Sequence, residues 1–261
     1  MTSGKQARRQ RQQAARPPVR STEGRRASPA VLIAAVAGIL ILAAVIAGVF
    51  ALSGGSDNST PTTGTKLSGA ADVEQQFAGI PQSGDVLGKA AAPATLVEYI
   101  DLQCPVCRDF ETNTMPTIID RYVRTGKLKV ISRPVVIIGP DSETGRNGMI
   151  AAMKQNRGFN FAQILYFNQG PENGGWLNDS MVADAAASIQ GVNVAQLQTD
   201  AGSQAVKDKA ATYDSQAQAD NLSGTPTLVL GKTGGKLTSL GAGSPTVEQL
   251  SAAIDQVLKS Q

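Results

Sequence analysis

The chain contains no histidine and only two cysteines, Cys104 and Cys107, among 261 residues. Without histidine no Ser-His-Asp triad, Cys-His protease site or His-ligated zinc can be assembled. Two cysteines cannot complete a tetrahedral zinc site or hold an iron–sulfur cluster. The chemistry left is that of a cysteine pair, carboxylates, lysines or hydroxyls. Basic charge is also missing from most of the chain. Residues 1–29 carry eight basic side chains (Lys5, Arg8, Arg9, Arg11, Arg16, Arg20, Arg25 and Arg26) against one acid, Glu23, whereas residues 53–261 balance to −4. The pI near 8.9 therefore describes a tail, and a basic nucleic-acid-binding domain is not expected.

Residues Ala30 to Leu52 form an uncharged apolar run of 23. A helix of about 20 residues spans the hydrocarbon core of a bilayer, and this run exceeds the roughly 7–15 residues of a secretory h-region. The basic flank precedes it, so the positive-inside rule keeps the tail in the cytoplasm and exports the C-terminal bulk. The expected location is a cell membrane, with a single-pass signal-anchor and an extracytoplasmic catalytic domain. A cleaved signal is the other reading, and Arg25-Arg26 keeps a twin-arginine route open. The tail fixes topology and lies against anionic lipid. Residues 53–74 begin as a Gly/Ser/Thr-rich stretch and read as a flexible tether. Asn58-Ser59-Thr60 fits a glycosylation triplet, a pattern that recurs by chance.

Residues 75–261 are enough for one domain with a sizeable core. Thr95–Ile100 is a β-prone run leading into Asp101-Leu102-Gln103-Cys104-Pro105-Val106-Cys107. Phe110, Met115, Ile118, Ile119, Tyr122 and Val123 then recur at helical spacing. Gly126 ends this helix and Pro116 is expected to kink it. Lys127–Ile138 reads as a second strand, with Pro134 suggesting an edge position or a break. Residues 141–222 read as helical. Thr227–Leu230 follows Gly224-Thr225-Pro226 as a third strand, and Gly234-Gly235 turns into a fourth at Lys236–Leu240. Ser244 as N-cap and Pro245 at the first helical position open a last helix.

A CxxC pair between a strand and a helix of a βαβ unit is a redox signature. Cys104 would stand at the helix N-terminus, where unpaired N–H groups and the helix dipole favour thiolate. Cys107 would lie one turn further in. Cys104 is thus read as the nucleophile, Cys107 as the resolving or leaving thiol, and Pro105 and Val106 as the active-site turn. Two roles stay open for Asp101 and Gln103, tuning of the thiolate or plain exposure. Trp176 reads as a packing residue. Asp141, Glu143 and Asp179 read as caps, and the Gln-rich stretches as solvated helix faces.

The order strand, Cys104-Pro105-Val106-Cys107, helix, strand, helical insertion, Thr225-Pro226 before an apolar strand, hairpin and C-terminal helix resembles the DsbA-like branch of the thioredoxin superfamily. The resemblance covers roughly residues 75–260 and implies an α/β thioredoxin-like fold with a helical insertion (about 141–222). It implies a cis Pro226 packed against the disulfide, with Thr225 presenting its backbone to the substrate chain. It also implies a role for Glu98, six residues before the first cysteine, as a buried acid serving proton transfer at the second. The alternative is a solvent-facing Glu98, but Leu96 and Val97 beside it argue for burial and a raised pKa. The strongly oxidising relatives carry His where Val106 stands, which implies a less extreme potential here.

Taken together, these residues describe an extracytoplasmic thiol–disulfide oxidoreductase that introduces disulfides into exported proteins. Disulfides persist outside the cytoplasm, so a donor is useful there. The resemblance implies reoxidation by a quinone-linked membrane oxidase of DsbB or VKOR type, no bound cofactor and no metal. A second reading is an extracytoplasmic reductase or isomerase, for example one serving cytochrome c maturation. A third is a redox-silent folding or binding module, which would survive loss of both cysteines.

Overall fold

The structure, a computed structural model, describes residues 66–260. The basic tail, the apolar run and most of the stretch read as tether lie outside the described residues. Among the described residues no helix is long and apolar enough to cross a membrane.

The sheet has six strands: β1 (Gln82–Ser83), β2 (Val86–Leu87), β3 (Ala94–Ile100), β4 (Leu128–Pro134), β5 (Thr227–Lys232) and β6 (Leu237–Ala242), in the order β1-β2-β4-β3-β5-β6. β3 runs parallel to β4 and antiparallel to β5. All seven residues of β3 are buried, because both faces of the sheet are covered: Ala94, Leu96 and Ile100 join one apolar cluster, Val97 and Tyr99 a second. A strand buried on both sides needs a nearly continuous apolar run, and Glu98 interrupts it.

The parallel β3–β4 connection is helical. Helix α2 (Pro105–Asp109), a π-helical turn (Phe110–Thr114), α3 (Met115–Ile118) and a second π turn (Ile119–Val123) follow without a break. Pro116 has no N–H to return to the preceding turn, so the kink expected there takes the form of these wider turns. The Glu111 carbonyl that such a donor would reach accepts instead from Gln163 Nε2 at 3.1 Å. Gly126 closes the run at φ +77°.

Three expectations are corrected. β4 is shorter than the 127–138 reading: of the two meanings given to Pro134, the break holds, since it is the last residue of the strand, and the edge position does not, since β4 lies inside the sheet. The last helix is capped by Thr246, whose side chain and that of Gln249 form a reciprocal box, not by Ser244. Folded structure also begins inside the stretch read as tether. Helix α1 (Ala70–Phe77) buries Val73 and Phe77, and the Leu67 N–H donates to Ser188 Oγ at 2.8 Å. The short β1–β2 hairpin was not foreseen.

Between β4 and β5 lie five helices: α4 (Asp141–Lys154), α5 (Gly158–Phe167), α6 (Asp179–Ala187), α7 (Val194–Ala201) and α8 (Gln204–Ala219). Gly148 lets α4 approach α5 closely, since a Cβ there would stand 2.9 Å from the Phe161 ring. Asn178, Asn193 and Ser203 cap α6, α7 and α8. Trp176 packs partly buried against the main core. Asp141 and Asp179 occupy first turns, Asp141 accepting from the Gly175 N–H at 2.9 Å. The last helix, α9 (Val247–Lys259), returns to the sheet and buries Leu250 and Ile254.

Candidate active site

β3 ends at Ile100 and the chain turns through Asp101–Gln103 into α2. Cys104 is the N-cap residue, in extended conformation (φ −71°, ψ 120°), and Pro105 takes the first turn. The Cys104 N–H donates to the Asp101 carbonyl at 3.0 Å, and the Arg108 N–H to the Cys104 carbonyl at 3.0 Å. Position alone separates the two thiols. Cys104 is 5% exposed at the rim, Cys107 is fully buried, and Val106 between them is 44% exposed.

The thiols are free in this structure. Cys104 is brought down to about 6, first by the hydrogen bond from Cys107, against the cost of burial, and then by Thr225 and the backbone N–H groups of Cys107 and Val106. Burial, followed by the neighbouring Cys104 sulfur, pushes Cys107 well above the ordinary thiol range. One thiol is thus a ready thiolate and the other holds its proton, the division that thiol–disulfide exchange requires. The Thr225–Pro226 peptide bond is cis. When protonated, the Cys104 thiol donates to the Thr225 carbonyl at 3.4 Å.

Glu98 is 1% exposed on the central strand. Burial raises it to about 7, opposed by Ser132 and Glu111. Glu111, on the first π turn, is raised well above the carboxylate range by burial and then by the Glu98 charge. Two carboxyls sharing one dry pocket cannot both ionise, so the pair keeps a proton at neutral pH. Glu98 Oε2 and Glu111 Oε1 are buried without a hydrogen-bond partner. Tyr166, also fully buried, is raised by burial and then by Cys107, Glu111, Asp101 and Glu98, which places it beside the same group of acids.

Asp101 and Gln103 are both fully buried. Asp101 Oδ1 accepts from the Gln103 N–H (2.9 Å) and Ser142 Oγ (2.7 Å), and Oδ2 from the Ile137 and Ile138 N–H groups (2.7 and 2.9 Å). Gln103 Nε2 donates to Ser142 Oγ at 2.9 Å, and its Oε1 accepts from the Asn173 N–H at 2.7 Å. Gln169 Nε2 reaches the carbonyls of Leu102 and Cys104 at 3.0 and 3.2 Å. Of the two roles left open for Asp101 and Gln103, exposure is excluded.

Glu111, Ser142, Tyr166, Gln169 and Asn173 were not anticipated. Glu111 had a signal: four residues after Cys107 on a helix, it shares that cysteine's inward face. The others come from the insertion, where nothing local marks them. Among the described residues no group of three or more His, Cys, Asp or Glu side chains could hold a metal ion.

A thiolate-forming cysteine at a helix start, a buried second thiol and a cis-proline loop against the first, on a sheet of this order, define a DsbA-like thiol–disulfide oxidoreductase. The chain belongs to the thioredoxin family, whose model matches residues 82–256. It is 28% identical over 176 residues to the probable disulfide bond formation protein D of Bacillus cereus, covering 66% of this chain and 78% of that one. To the disulfide bond formation protein D of Bacillus subtilis it is 24% identical over 145 residues, covering 55% and 65%. In fold it is similar to oxidised BdbD from Bacillus subtilis (TM-score 0.60, 22% identity, 69% and 96% covered). A second similar fold is Wolbachia pipientis α-DsbA1 (TM-score 0.59, 21% identity, 67% and 91% covered).

Proposed function

We propose that the protein is a membrane-tethered donor of disulfides to exported proteins. The observation that carries this is the asymmetry of the pair, Cys104 held near 6 at the rim and Cys107 raised and buried. In the oxidised protein a substrate thiolate attacks Cys104 Sγ. The Cys104–Cys107 bond breaks, its electron pair goes to Cys107, and a mixed disulfide forms between substrate and Cys104. Cys107 leaves into an apolar pocket and takes a proton, for which the Glu98–Glu111 pair is the source. A second substrate thiolate then attacks the substrate sulfur of the mixed disulfide. Cys104 departs as a stabilised thiolate and the substrate carries the new disulfide. Thr225 and Pro226 present the backbone edge along which the substrate chain lies, and Pro105 and Val106 form the face it meets.

Each turnover leaves two electrons on the pair. A quinone-linked membrane oxidase of DsbB or VKOR type takes them, beside which the apolar run of residues 30–52 would hold the domain. The relatives named for disulfide bond formation support the donor direction. A Cys104 value of about 6 lies between roughly 7 in thioredoxin and 3.5 in DsbA, in line with a less extreme oxidant.

The test is the equilibrium reduction potential of the full chain against glutathione. A value above roughly −200 mV supports donation, whereas one near −270 mV reverses the electron flow and makes the protein a reductase. Immunoblotting of membrane fractions tests the tether, and a mature form lacking residues 1–52 overturns it.

A further inference from the structure

The Asp101 carboxylate is the most heavily bonded side chain near the thiols, yet it takes no part in the exchange just described. Its four partners are all donors, as a carboxylate requires, and they come from three separate pieces of chain. Gln103 belongs to the turn before Cys104. Ile137 and Ile138 belong to the loop after β4, and Ser142 opens α4. β3 and β4 are parallel and end in register at Ile100 and Pro134, so the loop leaves the sheet at the same end as the CxxC turn. Ile137 is half exposed on that rim. The Asp101 backbone is committed to the turn itself, its carbonyl accepting from the Cys104 N–H and from Tyr166 Oη.

We infer that Asp101 is a positioning residue: its carboxylate fastens the Ile137–Ile138 loop to the CxxC turn and thereby sets the wall beside Cys104 that an incoming protein chain meets. Asp101 acts on Cys107 through its backbone, whose hydrogen bond lowers that thiol, while its carboxylate oxygens are taken up by the loop, the turn and Ser142. The effect of the carboxylate falls on docking of a polypeptide, not on the reactivity of the sulfur. The adjacent Ile137 and Ile138 amides share one acceptor, Asp101 Oδ2. An unpaired buried amide is costly, so the loop moves outward to water once the acceptor is withdrawn. The inference rests on the thiol-exchange reading but not on its direction.

Asp101→Asn keeps the shape and turns one acceptor oxygen into a donor, so either the Ile137 and Ile138 N–H groups or the Gln103 N–H and the Ser142 hydroxyl lose their acceptor. The test measures the full chain oxidising a reduced, unfolded protein across substrate concentrations, alongside its exchange with glutathione. The expected result is a KM for the protein substrate raised about tenfold, with kcat and the glutathione exchange rate within twofold of the parent. An unchanged KM overturns the inference. So does a parallel fall in glutathione exchange, which would show that the carboxylate acts on the thiols. Should Asp101→Asn fail to fold, Ser142→Ala withdraws one donor and leaves the carboxylate. It is expected to raise KM two- to threefold with glutathione exchange untouched, and no change in KM overturns the proposal equally. Running the same KM comparison on reduction of a disulfide-bonded protein separates this result from the donor reading: a parent that reduces but does not oxidise removes only the latter.

Discussion

The sheet with its CxxC helix and the five-helix insertion contribute differently to one site. The sheet and its neighbouring helix carry the two thiols, Cys104 and Cys107, and the buried Glu98–Glu111 pair, with Thr225 against Cys104. The insertion carries none, yet it supplies Ser142, Gln163, Tyr166, Gln169 and Asn173, which bond the turn and the helix from outside. These donors stand 41 to 70 residues from the groups they hold. Reactivity is therefore encoded locally and its rigidity at long range. A thiol pair needs its geometry fixed to fractions of an ångström, and a four-residue turn cannot fix itself.

Five substitutions break or sharpen this contrast. Cys104→Ser is expected to abolish disulfide transfer outright, whereas Cys107→Ser is expected to trap substrate as a stable mixed disulfide on Cys104, seen on non-reducing gels. In the insertion, Phe161 is fully buried between α4 and α5. Phe161→Ala is expected to cost about 3–5 kcal/mol in denaturant unfolding while leaving the reacting groups in place, so the folded fraction should still exchange disulfides. Glu98→Gln acts in the opposite sense on stability. Glu98 titrates near 7 when folded against an ordinary 4.5. Its neutral form favours folding, so this stabilisation is present below about pH 4.5 and is lost as pH rises to 7. The loss approaches about 3 kcal/mol, and the Gln variant should gain that much over the parent at pH 8 and little at pH 4. It should also reprotonate Cys107 more slowly, seen as delayed release of the reduced pair. Val106→His has the smallest effect. A partly exposed imidazole beside the thiolate should raise the potential by about 30 mV, or about 1.4 kcal/mol. An unchanged potential would show that the helix terminus and backbone donors alone set the Cys104 value.

The order of elements was legible because each carries a local mark. CxxC follows an apolar strand, Gly126 and Gly234-Gly235 punctuate, and Thr225-Pro226 precedes an apolar run. Glu98 was legible through the resemblance, which implies a buried acid six residues before the first cysteine, with the apolar Leu96 and Val97 beside it arguing the same way. The Thr246 cap was missed because Ser244-Pro245 offers the same chemistry two residues earlier, and the choice is made by where α9 meets the sheet. Asp101 remained ambiguous because an acid before a helix reads equally as an exposed cap. Only the return of the Ile137–Ile138 loop decides it. Gln169 and Asn173 carry no mark, since a polar residue at a helix end is ordinary until the backbone it bonds is known.

The absence of histidine gains a meaning once the site is in view. The side chain that ordinarily buffers between pH 5 and 8 is missing from the whole chain. Cys104 at about 6 and Glu98 at about 7 fall in that interval. Proton inventory across neutral pH is therefore dominated by the redox centre itself. Oxidising the pair removes the Cys104 titration, so the protons that accompany the two electrons fall from two toward one as pH rises through about 6. A pH-stat record of one redox cycle would read the centre's proton–electron stoichiometry with little background from the rest of the protein.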